Sequence, residues 1–485
     1  MNHKLEWLGW WKGFLILLCF MMTFIGCTKD ELDSSSQRIL KFGADTVTFD
    51  TVFQTIGSAT RSVRIYNPSS KSIVLYKVYL NQGSASQYRF NIDGSPSPIA
   101  QNITILPRDS AWIFIEVTIN PNTNSLVVQD SLVVESNGGR QFIILHAYGQ
   151  NAYYHRGEII NSNTTWLNNK PHVILSQNTS SGFVPGVIIP SGRTLTIAAG
   201  CNLYFGSNAG LLVQGNLRSL GTASSKINMR GLRLERQYLK AAGQWLGILI
   251  ERRSINNLIE YTSIDETAFG IWMGFQATTN YAAMTDASRA NLILRNSSVK
   301  NGYYWTLRSL NNEIRVENCE FYTATDYLAQ LYLGGNYTFI NSTFFNIQSK
   351  DQKGLLALSN QIYDDVSKST FKNKLTLAKF ENCIFQTNAD EAISIALDTT
   401  INQISDYLFQ NCIYTSKSNF SNASFVDCIR NQDAKFTSTS IDKENLKPIA
   451  GSPAIDKGLS NTLTNDINGE ARPKGGQVDI GAYEF

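Results

Sequence analysis

Glu317-Asn318-Cys319-Glu320-Phe321, Glu381-Asn382-Cys383-Ile384-Phe385 and Gln410-Asn411-Cys412-Ile413-Tyr414 are three copies of one phrase, and Asn296-Ser297 and Asn341-Ser342 are its serine variants. Each copy closes a short alternating apolar stretch, the mark of a strand that runs into a corner. The Asn positions follow one another at 22, 23, 41 and 29 residues. Steps of that size are coils of a solenoid and are too irregular for a coiled coil.

In a parallel β-helix successive coils stack at about 4.8 Å, so equivalent side chains form columns along the axis. A column of Asn can pair its amides from rung to rung. The column beside it reads Thr262, Ser297, Cys319, Ser342, Cys383, Cys412, all small, as an inward corner requires. A second set of apolar segments falls between the copies: 269–274, 305–310, 328–333, 355–358 and 393–397. The two sets alternate in order, which gives about six coils between Leu258 and Ile429 and roughly three more over 187–231. The fold class expected is all-β: an N-terminal immunoglobulin-like β-sandwich, then a parallel β-helix of about nine coils and about 40 Å in length.

The chain has 485 residues, 43% hydrophobic and 17% charged, enough for two cores. A net charge of +3 without a basic run argues against nucleic acid. Residues 1–27 differ from the rest. Lys4 and Lys12 flank three tryptophans, and an apolar run from Phe14 to Ile25 ends in Gly26-Cys27. That ending resembles a bacterial lipobox, which implies cleavage before Cys27 and lipidation of it. Thr28-Lys29-Asp30-Glu31 resembles the export signal that sends some Gram-negative lipoproteins to the outer face of the outer membrane, so Lys29, Asp30 and Glu31 are the expected signal residues. An outer-membrane, lipid-anchored and surface-exposed location follows, because several acyl chains at about 0.8 kcal/mol per buried CH₂ hold a protein durably.

The expected organisation is a signal peptide at 1–27, a polar tether at 28–40, the sandwich at 41–150, a linker at 151–172, the helix at 173–450 and a C-terminal cap at 451–485. The sandwich is read from about seven short strands separated by turn signals at Asn67-Pro68, Asp93-Gly94, Pro107-Arg108-Asp109 and Asn137-Gly138-Gly139. Five cysteines remain in the mature body: Cys201, Cys319, Cys383, Cys412 and Cys428. Parallel Cβ vectors on stacked coils stay about 4.8 Å apart, wider than the roughly 3.8 Å a disulfide prefers, so buried free thiols are expected.

The segment Leu195-Thr196-Ile197-Ala198-Ala199-Gly200 resembles the entry coils of bacterial right-handed β-helix proteins, and the C-terminal phrases Gly451-Ser452-Pro453-Ala454-Ile455-Asp456, Asp466-Ile467-Asn468-Gly469-Glu470-Ala471-Arg472-Pro473 and Asp479-Ile480-Gly481-Ala482-Tyr483-Glu484 resemble the closing signature of the "choice-of-anchor Q" group of extracytoplasmic β-helix proteins. The resemblance covers roughly 41–485 and implies a right-handed, pectin-lyase-like β-helix on a bacterial surface lipoprotein. Family activity is mostly unassigned. The terminal segment is expected to cover the last coil, whose backbone groups would otherwise be unpaired. Asp466-x-Asn468-Gly469 has the look of half a calcium loop but lacks the downstream Glu, so a turn held by side-chain hydrogen bonds is expected there. Asp-Ser/Thr pairs such as Asp45-Thr46 and Asp130-Ser131 resemble O-glycosylation acceptors of some Gram-negative envelopes.

For chemistry, the four histidines are His3, His146, His155 and His172, and none is expected in the coils. That excludes a histidine-based triad there, and neither a metal site nor a cofactor is expected. Candidate carboxylates are Asp265, Glu266, Asp326, Asp364, Asp365, Asp390 and Glu391, with Arg289, Arg295, Lys300 and Arg308 as basic neighbours. Most are read as solvated turn residues, and no catalytic residue is assigned. Trp272, Tyr303-Tyr304-Trp305, Tyr322, Tyr327 and Tyr332 recur at similar coil positions, where planar rings stack on sugars or on a protein. The leading expectation is therefore non-catalytic binding of a polysaccharide or a surface protein. The alternatives are a polysaccharide lyase or glycoside hydrolase working through loop carboxylates, and a structural part of a surface assembly.

Overall fold

A computed structural model describes residues 31–33, 35, 39–96, 98–121, 126–180, 182–276, 280–347, 354–403, 406–420 and 423–485. Cys27, Lys29 and Asp30 lie outside the described residues. Glu31 lies inside them and pairs with Lys71 at 2.7 Å on the surface, an exposed contact that adds little stability. The chain divides into two units, 1–150 and 151–485.

The first unit is a β-sandwich of ten strands rather than about seven: β1 (Lys41–Phe42), β2 (Thr46–Phe53), β3 (Arg61–Tyr66), β4 (Ile73–Leu80), β5 (Tyr88–Ile92), β6 (Ser95–Pro96), β7 (Ile99–Ile105), β8 (Ser110–Val117), β9 (Val127–Ser136) and β10 (Gly139–Gln150). One sheet has the order β1-β3-β8-β5-β6 and the other β2-β10-β9-β4-β7. The alternation Ile113, Ile115, Val117 on β8 and Leu132, Val134 on β9 turns every second side chain into one shared core.

The second unit is a parallel β-helix. Three sheets of parallel strands run along it, with eleven strands in sheet A, nine in sheet B and ten in sheet C among the described residues. Each strand pairs with its counterpart one coil further on. Sheet A begins at Tyr153–Arg156, sheet B at Glu158–Ile159 and sheet C at Thr164–Trp166. These strands occupy the stretch expected to be a linker at 151–172, so the first coil starts there and not at 173. The 41-residue step between Asn341 and Asn382 accommodates a hairpin, Gln361–Asp364 with Ser369–Lys372, that projects from the coil.

The recurring phrase is the corner between sheets C and A. Its Asn residues all have left-handed backbones, with φ of 49° at Asn296, 50° at Asn318, 47° at Asn341, 54° at Asn382 and 50° at Asn411. Asn tolerates that region better than other side chains, which is why it recurs here. The next residue closes the corner from inside. Thr262 N donates to Ser297 Oγ at 3.0 Å, Cys319 N to Ser342 Oγ at 3.3 Å and Cys383 N to Cys412 Sγ at 3.4 Å. Each hydroxyl or thiol donates in turn to the carbonyl two residues before it, as Ser342 does to Ile340 O at 3.1 Å. Cys428 extends the column by accepting from Cys412 N at 3.4 Å, and Ser219 begins it against Thr262. All five described cysteines are free, and burial pushes the Cys319 thiol up to about 12.

The last aromatic of the phrase points into the helix and builds a second column. Phe321 stacks on Phe344 at 4.5 Å and Phe344 on Phe385 at 4.7 Å, while Phe380, Phe409 and Phe425 of sheet C stack at 4.5 and 4.4 Å. These spacings are the rung spacing itself, so the rings ride on the backbone ladder. At the entrance to sheet B, Gly270 has φ of 54° and a Cβ there would lie 2.0 Å from Thr306 O. Only glycine permits that turn.

The C-terminal segment does not cover the last coil. It runs back along the outside of the helix over the Asn column. Asn411 donates to Lys457 O at 3.1 Å, Asn382 to Leu459 O at 2.8 Å, Asn341 to Asp479 O at 3.0 Å and Asn318 to Asn465 O at 2.7 Å. Rung-to-rung amide pairing survives at Asn318 to Asn296 (3.0 Å) and Asn382 to Asn341 (3.3 Å). The corner amides point outward with capacity left over, and the segment takes it up. Within the segment Arg472 and Glu484 form a fully buried pair at 3.3 Å, and Asp466 accepts from the N–H groups of Asn468 and Glu470, the turn held by side-chain bonds. Ala434, Phe436, Leu446, Ala454 and Ile480 cover Tyr322, Phe345, Ile384 and Ile413 on the outer face of sheet A.

Asn382→Ala places an ordinary side chain at φ of 54° and strips Leu459 of both bonds to the Asn382 side chain. We expect a loss of about 2–4 kcal/mol in denaturant unfolding of the second unit, with Asn382→Gly losing distinctly less because the backbone strain is relieved.

Candidate ligand-binding face

The C-terminal residues cover the later strands of sheet A, and the outer faces of sheets B and C differ from each other. On sheet C the outward row Glu260, Arg295, Glu317 is cross-linked by charge, with Arg295 to Glu317 at 3.2 Å and Arg315 to Glu317 at 2.6 Å. Lys379 to Glu381 at 2.6 Å continues this pattern. The charges of this surface pair along its own ladder, although Arg295 Nε lacks a hydrogen-bond partner.

Sheet B is different. Ile271 and Met273 point into the core, so the pleat turns Trp272 outward, and the same alternation turns out Arg308 between Leu307 and Ser309 and Gln330 between Ala329 and Leu331. Register places Trp272, Arg308, Gln330, Ala357 and Ser394 in one row on successive coils. The Arg308 guanidinium lies 5.4 Å from the Trp272 ring, 4.6 Å from Trp305 and 5.9 Å from Tyr332, all within cation–π range. Phe269 and Tyr304 stack at 5.1 Å beside it, and Trp272 meets Trp305 edge-on at 5.5 Å. Burial pushes the Tyr332 hydroxyl up to about 12. Further along the same face is a shallow groove of about 280 Å³, with Tyr327, Tyr332 and Tyr363 at its sides and Ala357, Ser394 and Ala396 among its lining.

The structure thus brings Trp272, Trp305, Tyr332 and Arg308 together, and Tyr303 and Tyr304 are exposed at the rim. Tyr322 lies elsewhere, under the C-terminal residues. The carboxylates do not converge. Glu266 is buried and held by Arg230 at 2.7 Å and by the N–H groups of Lys240 and Gly231, and Asp265 accepts from Asn301 at 2.7 Å. Burial raises the pKa of both. Burial opposes the charge of Lys300, but Glu320 at 2.9 Å and Glu444 outweigh it and raise its pKa. Asp364 organises the hairpin turn at Ser367, Lys368 pairs with Asp365, and Asp390 pairs with Lys417 on the surface. Glu391 accepts from Ser416 and Ser418, while Arg289 holds Asp286 and Asn311. Asp326 accepts from Gln330 Nε2 and Tyr327 N, both at 2.9 Å, and its charge acts on Arg308. Sequence reasoning missed Gln330 and Tyr363, and it did not connect Arg308 with the rings. Aligning Ile271-Trp272-Met273 with Leu307-Arg308-Ser309 as equivalent strands is the signal that would have linked them.

Two histidines lie in the coils, contrary to expectation, because the first coil begins at Tyr153. His155 faces Glu158 through Nδ1 and His172 through Nε2, the latter at 3.0 Å. His172 Nε2 lies 3.0 Å from Leu167 O, so it carries the proton there. Both rings stack on Trp166, at 4.2 and 4.7 Å. Burial lowers the pKa of each, that of His172 to about 4. Every polar edge of the pair is used internally, which marks a packed end of the helix.

No protein-family model matches this chain, and no curated protein matches it. Among solved structures, it is similar to a protein of unknown function from Porphyromonas gingivalis W83, at 12% identity over 26% of this chain and 50% of that one, with a TM-score of 0.19. It is also similar to a family 123 glycoside hydrolase from Clostridium perfringens studied for glycolipid glycan hydrolysis, at 9% identity over 24% of this chain and 31% of that one, with a TM-score of 0.18. Likeness at that level carries no argument about activity.

The histidine pair gives a pH expectation. His172 stays neutral in the folded chain down to about 4, whereas an unfolded histidine takes a proton near 6.5. Between those values the unfolded chain binds more protons, so stability is present above the window and lost as pH falls through it. Denaturant midpoints of the second unit measured from pH 7 to 4 should fall, and His172→Gln should flatten that fall. Identical pH slopes in both proteins would count against the assignment.

Proposed function

We propose that this chain is a surface lipoprotein, acylated at Cys27 and exported through Lys29-Asp30-Glu31, that binds a glycan or a glycan-bearing partner on the outer face of sheet B without cleaving it. The observation that carries the reading is the cluster of Trp272, Trp305 and Tyr332 around Arg308, continuous with the groove bordered by Tyr327 and Tyr363. Rings held rigidly on a parallel sheet offer flat apolar surface at little entropic cost, with polar edges for hydroxyl groups. The scattering and internal pairing of the candidate carboxylates favours binding over cleavage, since glycosidases place two carboxyl groups on either side of one bond. The first unit is proposed as an immunoglobulin-type spacer. Its β1-β3-β8-β5 and β10-β9-β4 orders follow the A-B-E-D and G-F-C arrangement, with β7 at the outer edge of β4.

Two experiments test this. The full chain, purified in detergent and screened against oligosaccharides, is expected to bind with a change in tryptophan fluorescence and to release neither reducing nor unsaturated ends. Trp272→Ala should weaken that binding about tenfold or more, in line with loss of an aromatic anchor. Release of new ends would instead support the lyase or hydrolase alternative. In cells, replacing Lys29-Asp30-Glu31 by alanines should abolish antibody labelling of the intact surface, and unchanged labelling refutes the export role.

A further inference from the structure

We infer that the ligand of this face carries an anionic group, a carboxylate or a sulfate ester, that docks on Arg308 between Trp272, Trp305 and Tyr332. The inference rests on the glycan-binding reading and names the chemistry within it.

The argument starts from unsatisfied polar atoms. Trp272 Nε1, Trp305 Nε1, Arg308 Nε and Gln330 Oε1 are all buried and have no hydrogen-bond partner. Trp272, Arg308 and Gln330 are consecutive members of one outward row, and Trp305 touches the Arg308 guanidinium from the side. Buried polar groups are nearly always bonded, so several orphans in one cluster require an explanation. Three of the four are N–H donors. A group that meets them must be rich in acceptors, and an ionised carboxylate or sulfate offers acceptors only.

Charge points the same way. Several partly buried cations elsewhere on the helix have carboxylate partners: Arg230 with Glu266 at 2.7 Å, Arg289 with Asp286 at 2.8 Å, Arg295 with Glu317 at 3.2 Å and Lys300 with Glu320 at 2.9 Å. Arg308 has no such ion pair among the described residues. Its nearest acidic influence, Asp326, gives its oxygens to Gln330 and Tyr327. A half-buried guanidinium without a counter-ion is costly, and ring faces recover only part of that cost. An anion from outside completes the pairing with the planar fork that Arg presents. The small Ala357 and Ser394 next in the row leave room for the sugar that bears it, alongside Tyr332 and Tyr363.

The test uses the full chain in detergent and matched ligands: a uronic-acid oligosaccharide with its carboxyl-reduced form, and a sulfated oligosaccharide with its desulfated form. At least one anionic ligand should bind about tenfold or more tighter than its neutral counterpart, with the preference shrinking as salt rises. Preference confined to the uronate assigns a carboxylate, and preference confined to the sulfated ligand assigns a sulfate ester. Arg308→Gln should bring the ratio to about one. Should that variant fail to fold, the matched ligands on the unaltered protein decide alone. Equal affinity for charged and neutral forms, or a preference that persists in Arg308→Gln, overturns the inference and leaves the glycan reading standing. Absence of binding by all four ligands overturns both.

Discussion

The structure depends on how a β-helix satisfies the backbone at a corner. Where a strand of sheet C turns into sheet A, the N–H after the left-handed residue faces inward, away from water, and must find an acceptor. The side chain of the next coil supplies it, and passes its own proton to a carbonyl of its own coil, as Ser342 does between Cys319 N and Ile340 O. Serine, threonine and cysteine are interchangeable there because each is small and offers one donor and one acceptor. Cysteine in this column is a packing and hydrogen-bonding residue, and its raised pKa makes it a poor nucleophile.

Once the corners are stacked, the three outer faces acquire separate fates. Sheet A is covered at Tyr322, Phe345, Ile384 and Ile413 by the chain's own C-terminal residues, and sheet C is cross-linked by alternating charge. Sheet B keeps rings and a cation whose bonding is incomplete. On the proposed reading, recognition falls on the sheet B side of the scaffold.

The helix was legible because stacking forces equivalent positions to repeat, so the Asn-Cys phrase shows both the left-handed corner and the inward column. The copies at Tyr261-Thr262 and Asp427-Cys428 use other residues at the same positive φ, 44° and 51°, and blur the pattern. The first coil escaped notice since its strands are short and carry no phrase, and with it the two histidines were misplaced. The path of the C-terminal segment was illegible for a different reason. Its contacts join residues far apart in the chain, 138 positions for Asn341 with Asp479, and involve main-chain carbonyls that no sequence pattern displays. At the candidate face the aromatic residues could be read singly, but their meeting at Arg308 depends on register between coils.

The C-terminal segment has a consequence for how the molecule can vary. Repeat proteins ordinarily gain or lose units freely, since each unit touches only its neighbours. Here one strap engages Asn411, Asn382, Asn341 and Asn318 in turn through Lys457, Leu459, Asn461 and Asn465, so it spans several coils. It acts as a ruler: removing or duplicating a coil beneath it would shift its teeth against the corner amides by a whole rung. Length is therefore fixed over that stretch, and change in coil number is confined to the part of the helix the strap does not measure.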